Sequence, residues 1–182
     1  DFTEKFTTNH YLRLKSTLSD VNNVLTLKLT LSFVDTLCEK FELSDETNLE
    51  WKTKIDSIGP NTRGFDIEFV NPIKVLVEVK CISTENNRFS AIQKKNLFND
   101  AFKLKYKDCK IDQSEYYKFI VVLDCGIETD NCIEAFLNYK SKKPNDERTR
   151  RMQVLSDIIF LKDNFSTKDL NKDKIYIIKQ KL

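Results

Sequence analysis

The chain has 182 residues, 40% of them hydrophobic and 32% charged, with a net charge of +2 at pH 7, which predicts a single domain over residues 1–182. The near-neutral charge argues against a uniformly basic nucleic-acid-binding surface, and the lack of an apolar run of ~18 residues argues against a membrane span. Five scattered cysteines and one histidine argue against a zinc site and favour a reducing, cytoplasmic environment.

The first part of the chain predicts a helix followed by a strand. Residues 1–18 lack a clear period and predict a short helix or an arm. Residues 19–43 carry apolar side chains at steps of three and four, with a competing alternation of leucines. The helical pattern is the longer one and follows an N-capping Ser19 or Asp20, so we predict a helix. Apolar alternation over residues 49–55 predicts a first strand.

Residues 64–70 and 74–82 predict a β-hairpin with Asn and Pro in its turn. If its loop has three residues, the residue numbers of two directly opposed residues always add up to 144. Asp66 then lies opposite Glu78, on the same face as Lys80. Register decides this face, because a shift by one residue would turn Asp66 to the other side of the sheet.

Two facing carboxylates have Cβ atoms roughly 4.5–5.5 Å apart and repel each other unless a cation lies between them. Magnesium binds one or two carboxylates and keeps several waters, so Asp66 and Glu78 predict a magnesium site. The alternative is the ordinary solvated face of an antiparallel hairpin. The apolar residues that flank both carboxylates favour the metal site.

The second half of the chain predicts further sheet and helix. Residues 89–106 show a helical stripe. Residues 116–124 form a nearly continuous apolar run, typical of a buried strand that pairs in parallel after a right-handed crossover. Residues 128–139 predict an outer helix, and residues 153–161 and 174–179 predict strands that extend the sheet or form a dimer contact.

The order of Asp66, a turn and then Glu78-Val79-Lys80 resembles the PD-(D/E)XK nuclease superfamily, although Phe65 stands where the family has Pro. The resemblance covers roughly residues 31–124. It implies an α/β fold with a restriction-endonuclease-like core, in which a central mixed β-sheet is flanked by α-helices.

In that core, at about residues 19–124, we expect the order helix, three strands, helix, strand. Residues 125–182 are expected to be C-terminal additions to it.

The resemblance also implies metal-dependent hydrolysis of phosphodiester bonds, with Mg²⁺ as the cofactor and Mn²⁺ as a substitute. Asp66, Glu78 and the Val79 carbonyl are the implied metal ligands. Lys80 is implied to orient or activate the attacking water and to stabilise developing charge. Glu39, near the end of the predicted first helix, is a candidate further ligand, with an ordinary surface position as its alternative.

Gln93 is the candidate catalytic side chain on the helix that follows Glu-x-Lys, since several branches of the superfamily carry a Gln or Lys there. The alternative is a solvated first turn of that helix. Contacts to substrate phosphate are predicted for Arg63, Lys94, Lys95, Arg148, Arg150 and Arg151, with ordinary solvated surface positions as the alternative.

These features predict a metal-dependent DNA endonuclease of the type II restriction kind. A homodimer is expected, because cutting both strands of a duplex usually needs two active sites. Two alternatives stay open: a repair, effector or RNA nuclease on the same fold, and a non-catalytic nucleic-acid-binding module in which Asp66 and Glu78 are structural.

Overall fold

The computed structural model describes residues 7–57, 64–82, 84, 87–106, 111–139, 153–162 and 164–182. Within these residues the chain forms a mixed five-stranded β-sheet with α-helices on both faces. The predicted α/β class, with a central mixed sheet flanked by helices, is confirmed.

The described helices include the three that the periodicity predicts. The helices are α1 (Thr8–Lys40), α2 (Asp45–Ser57), α3 (Ala91–Tyr106) and α4 (Ile127–Leu137). α1 begins earlier than predicted, at a capping box in which the Thr7 side chain accepts from the His10 amide and the His10 side chain accepts from the Thr7 amide. A capping box satisfies two amide groups that an open helix end leaves unpaired.

The strands of the sheet are β1 (Ile67–Phe69), β2 (Val75–Lys80), β3 (Tyr117–Leu123), β4 (Ile158–Leu161) and β5 (Ile175–Gln180), in the order β1-β2-β3-β5-β4. β1 pairs antiparallel with β2, and every other neighbouring pair is parallel. β4 and β5 thus extend the sheet, which was one of the two predicted roles. The first part of the predicted strand at residues 153–161 is instead a short 3₁₀ helix, Gln153–Asp157.

The predicted strand at residues 49–55 is wrong, because this segment lies in α2. Ser44 caps the helix by accepting from the Thr47 amide, and the Thr53 hydroxyl donates to the Leu49 carbonyl one turn earlier. Only Trp51 and Ile55, four residues apart, are buried. The observed core therefore begins with two helices and the hairpin, where the sequence predicted one helix and three strands.

The two faces of the sheet pack against different helices. On one face Val75, Val77 and Val79 contact the core made by α1 and Trp51 of α2. On the other face Leu76 joins the core that includes residues of α3 and α4. Side chains alternate along a strand, so Glu78 and Lys80 project toward α3.

The hairpin places its polar residues at one edge of the sheet. β2, β3 and β5 run parallel and end together at Lys80, Leu123 and Gln180. β1 runs antiparallel, so Asp66, directly before it, lies at the same edge. In open α/β sheets ligands bind beyond the carboxyl ends of the strands, so a functional site is expected at this edge.

None of the helices in the described part of the chain combines the length and the apolar character needed to cross a membrane.

Candidate active site

The register of the hairpin is the predicted one. Ile67 faces Val77, Glu68 faces Leu76 and Phe69 faces Val75, so the positions in each pair sum to 144. Asp66 precedes the first of these pairs, and its Oδ2 accepts a hydrogen bond of 2.7 Å from the Val79 amide. The sequence-predicted acids Asp66 and Glu78 are therefore brought together at the end of β2.

Glu78 is a buried carboxylate with cations on both oxygens. Its side chain is 4% exposed. Oε1 accepts from Nζ of Lys103, and Oε2 lies 3.6 Å from Nζ of Lys80. Burial raises the pKa of Glu78 to about 7, and the nearby charge of Asp66 adds to the rise, while the hydrogen bond from Lys103 opposes it.

Lys80 is held by two carboxylates. Its Nζ lies 3.3 Å from Oδ2 of Asp100 on α3 and 3.6 Å from Glu78. Burial lowers the pKa of Lys80, but the charges of Asp100, Glu78 and Asp66 outweigh this effect, so its pKa is above the usual value. Lys80 is therefore a cation at neutral pH.

Asp100 has an unusual environment for a carboxylate. Its Oδ2 is buried and, although it is ion-paired with Lys80, accepts no hydrogen bond of good geometry. Burial raises the pKa of Asp100, and the charge of Lys80 opposes that rise. A buried carboxylate oxygen without a hydrogen bond has spare capacity to accept one.

Lys103 closes the cluster from the side of α3. Its Nζ donates to Oε1 of Glu78 and to the carbonyl of Gly64, and it lies 4.9 Å from the ring centroid of Phe65. The cluster therefore holds the carboxylates of Asp66, Glu78 and Asp100 and the ammonium groups of Lys80 and Lys103. With all five ionised, three negative and two positive charges leave a net charge of −1, at a site where Glu78 is buried and Asp66 is exposed.

Asp100 and Lys103 were missed by the sequence analysis. The signal in the sequence that could have identified them is their helical spacing from Gln93. Gln93, Asp100 and Lys103 fall on one stripe of α3, at steps of seven and three residues. Lys103 lies next to the buried Leu104 and Asp100 next to the buried Ala101, so both flank the face that packs on the sheet.

The carboxylate oxygens of this cluster are the type of ligand atom that magnesium prefers. Among the described residues no group of three or more His, Cys, Asp or Glu side chains is arranged to hold a metal ion. Magnesium, however, usually takes only one or two carboxylates and fills its shell with water. The adjacent acids Asp66 and Glu78, the buried Asp100 oxygen and the net negative charge fit such a two-carboxylate site.

Glu39 is not brought to this cluster. It lies on α1, which packs against the opposite face of the sheet, and its side chain is 78% exposed with Lys40 4.0 Å away. Val79 lies in the site through its main chain, because its side chain belongs to the α1-facing core and its amide binds Asp66. Its carbonyl stays a predicted ligand.

Gln93 has a structural role in this fold. Its Oε1 accepts from the Ser90 amide at 2.7 Å, and its own amide donates to Oγ of Ser90 at 3.2 Å. This reciprocal pair is a capping box at the start of α3. Nζ of Lys94 lies 5.2 Å from the ring centroid of Tyr139, and Lys95 is exposed.

The remaining predicted phosphate contacts, Arg63, Arg148, Arg150 and Arg151, lie outside the described residues.

A second charged cluster lies at the same edge of the sheet. Lys179 of β5 and Lys80 of β2 both neighbour Val122 of β3 in register, so their side chains project from the same face. Nζ of Lys179 lies 3.2 Å from Asp130 of α4 and 3.9 Å from Asp124. The polar edge thus extends from the hairpin across three strands.

No family model, no curated protein and no solved structure matches the chain.

Proposed function

We propose that this protein is a metal-dependent endonuclease that hydrolyses phosphodiester bonds in DNA, with Asp66, Glu78 and Lys80 in its active site. The observation that carries the proposal is the meeting of Asp66 and Glu78 at the carboxyl edge of the parallel strands, with Lys80 on the same face. This is the arrangement that the PD-(D/E)XK resemblance implies. We extend the proposal to a restriction-endonuclease-like core made by the hairpin, α3 and β3.

Asp66 and Glu78 are the proposed ligands of Mg²⁺, together with the Val79 carbonyl. Asp66 and Glu78 are the side chains that would hold the ion, and Mg²⁺ usually takes one or two carboxylates. When bound, Mg²⁺ would supply Lewis-acid activation of the scissile phosphate and of a water. Glu78 must be ionised to act as a ligand, so its pKa of about 7 makes metal binding sensitive to pH near neutrality.

Lys80 stabilises negative charge in this mechanism. Its raised pKa keeps the ammonium group protonated, so it cannot remove a proton from water at neutral pH. A fixed cation in a buried site stabilises the charge that develops on the phosphate oxygens in the transition state. Asp100 holds Lys80 in place from α3 and acts as a positioning residue.

The test is cleavage of plasmid DNA in the presence of Mg²⁺ or Mn²⁺. Wild-type protein is compared with Asp66→Ala, Lys80→Ala and Glu68→Ala. Glu68 is a matched control, because it is an exposed acid of the same hairpin that faces Leu76. We expect cleavage by the wild type and by Glu68→Ala, and its loss in the other two variants.

The products then separate the biological classes. Discrete metal-dependent fragments indicate a sequence-specific restriction-type enzyme, and general degradation indicates a repair or effector nuclease. Cleavage of RNA but not of DNA would show that the protein is an RNA nuclease, which is one of the alternatives given above. Cleavage of neither substrate, or cleavage that survives in Asp66→Ala, would overturn the proposed site.

One observation favours a second candidate, a non-catalytic nucleic-acid-binding module. Both oxygens of Glu78 already lie against lysines, and a closed ion-pair network can be purely structural. In that case Mg²⁺ would leave the melting temperature of the protein unchanged, whereas the nuclease proposal requires Mg²⁺ to stabilise the fold.

A further inference from the structure

The first half of α1 presents a long exposed surface. Every residue from position 7 to position 22 is exposed, and burial in the core begins only at Leu29. This exposed part contains several large apolar side chains that are half or more exposed: Tyr11, Leu12, Leu14, Leu18, Val21 and Val24. Single exposed apolar residues are ordinary, but a group of this size on one helix calls for a partner.

Five apolar residues of α1 form a regular stripe, which we call the α1 seam: Tyr11, Leu14, Leu18, Val21 and Leu25. Their spacing of three, four, three and four residues is the heptad pattern of a two-helix coiled coil. The first four are 53%, 50%, 60% and 50% exposed. The seam contains no charged residue.

The seam is only partly aligned with the surface that α1 packs on the sheet. At 3.6 residues per turn, its centre lies roughly 120° around the helix from the direction of the buried Thr30 and Leu37. The buried Leu29, however, about five turns after Tyr11, has the same direction as Tyr11. Docking of α1 on the sheet leaves the seam exposed from Tyr11 to Val21, because burial begins only at Leu29.

We propose that the α1 seam binds the same seam of a second copy of this chain. A pair related by a twofold axis needs a self-complementary surface, which a single apolar heptad stripe provides. The flanking e and g positions Lys15, Thr17, Asn22 and Val24 carry one charge among them. These positions offer no set of charges that a strongly charged partner helix could pair with. Two copies of this helix, in contrast, would bring only the Lys15 side chains as like charges to the interface.

The available area is at the lower end of what a specific pair needs. Four of the five seam side chains are half or more exposed, and with the stems of their neighbours the pair offers on the order of 1,000 Å², the lower limit expected of a specific interface.

The composition of the helix supports the same conclusion. Between Thr8 and Lys28 the chain has no alanine and many Thr, Ser, Asn and Val residues, which are weak helix formers. A free helix of such a composition is marginal in water, so packing against a partner would stabilise it. The inference does not use the proposed nuclease activity.

The test is the oligomeric state of the full chain by sedimentation velocity and light scattering, for the wild type, Leu18→Lys and Leu12→Lys. Leu12 is a matched control, because it is 54% exposed on the same helix but lies off the seam. We expect dimers of the wild type and of Leu12→Lys, and a dissociation constant at least tenfold higher for Leu18→Lys. Circular dichroism checks that all three proteins are folded.

Two results would overturn the inference. One is a wild type that stays monomeric up to about 100 µM, which would leave the seam to a different protein. The other is equal weakening of the dimer by Leu12→Lys and Leu18→Lys, which would show that the contact does not follow the seam. Cleavage of DNA does not enter either result, so failure of the nuclease proposal is distinguishable from failure of this one.

Discussion

Lys103 of α3 donates a hydrogen bond to Oε1 of Glu78, 25 residues away in the chain. The Glu78 side chain is 4% exposed and that of Lys103 is 19% exposed, so this ion pair is largely buried. Removing one partner of a buried pair is costly, because the other charge stays buried without compensation.

Lys103→Met is expected to destabilise the protein by about 3 kcal/mol at pH 8. At pH 5 Glu78 binds a proton and no longer needs the cation, so the loss should be smaller there. Urea unfolding at both pH values measures the effect. Lys95→Met, at an exposed lysine of the same helix, is the control and should change stability by less than about 0.5 kcal/mol. An equal loss at pH 5 and pH 8 would contradict a role that depends on the charge of Glu78.

Glu78→Gln is expected to remove a pH dependence of stability. The pKa of Glu78 rises from 4.5 to about 7 on folding, so between these values the folded state holds a proton that the unfolded state has lost. Stability therefore falls as pH rises through this range, in total by about 3 kcal/mol at 1.36 kcal/mol for each pH unit.

The measurement is the difference in unfolding free energy between wild type and Glu78→Gln at pH 5 and pH 8. We expect the difference to shift in favour of the variant as the pH rises. A difference that does not change between the two pH values would show that the pKa of Glu78 is close to its ordinary value.

Mg²⁺ is expected to raise the melting temperature of the wild type, and to do so more at pH 8 than at pH 6. Below its pKa of about 7 Glu78 is protonated and is a poor ligand. Proton competition should weaken apparent binding by about tenfold at pH 6. Asp66→Ala should lose the effect and Glu68→Ala should keep it. Stabilisation of Asp66→Ala to the same extent would place the ion elsewhere.

Gln93→Ala is expected to cost about 1 kcal/mol of stability, because it removes half of the capping box at the start of α3. Gln93→Glu should keep the cap, since a carboxylate can accept from the Ser90 amide. Thermal unfolding compares the two variants. If Gln93→Glu keeps its stability but loses cleavage of DNA, the amide of Gln93 also contacts the substrate, as the sequence analysis predicted.

The hairpin shows what local patterns can predict. The alternation of residues 64–82 and the length of the turn were sufficient to predict the pairing of Glu68 with Leu76 and the face of Glu78 and Lys80. The alternation at residues 49–55 wrongly predicted a strand, because Leu49 and Thr53 follow the pattern by chance. The N-cap at Ser44 stabilises a helix there instead. Four residues of apparent period two, Leu49, Trp51, Thr53 and Ile55, cannot outweigh a satisfied helix start.

Local sequence patterns were enough to predict the α/β class and the hairpin register, because these depend on side-chain period and on a short turn. Which helix covers each face of the sheet is visible only in the folded chain. That choice brings Asp100 and Lys103 to the site and leaves Glu39 on the other side. The position of these residues depends on which of the described helices packs on which face of the sheet, and the period of a single segment does not contain that information.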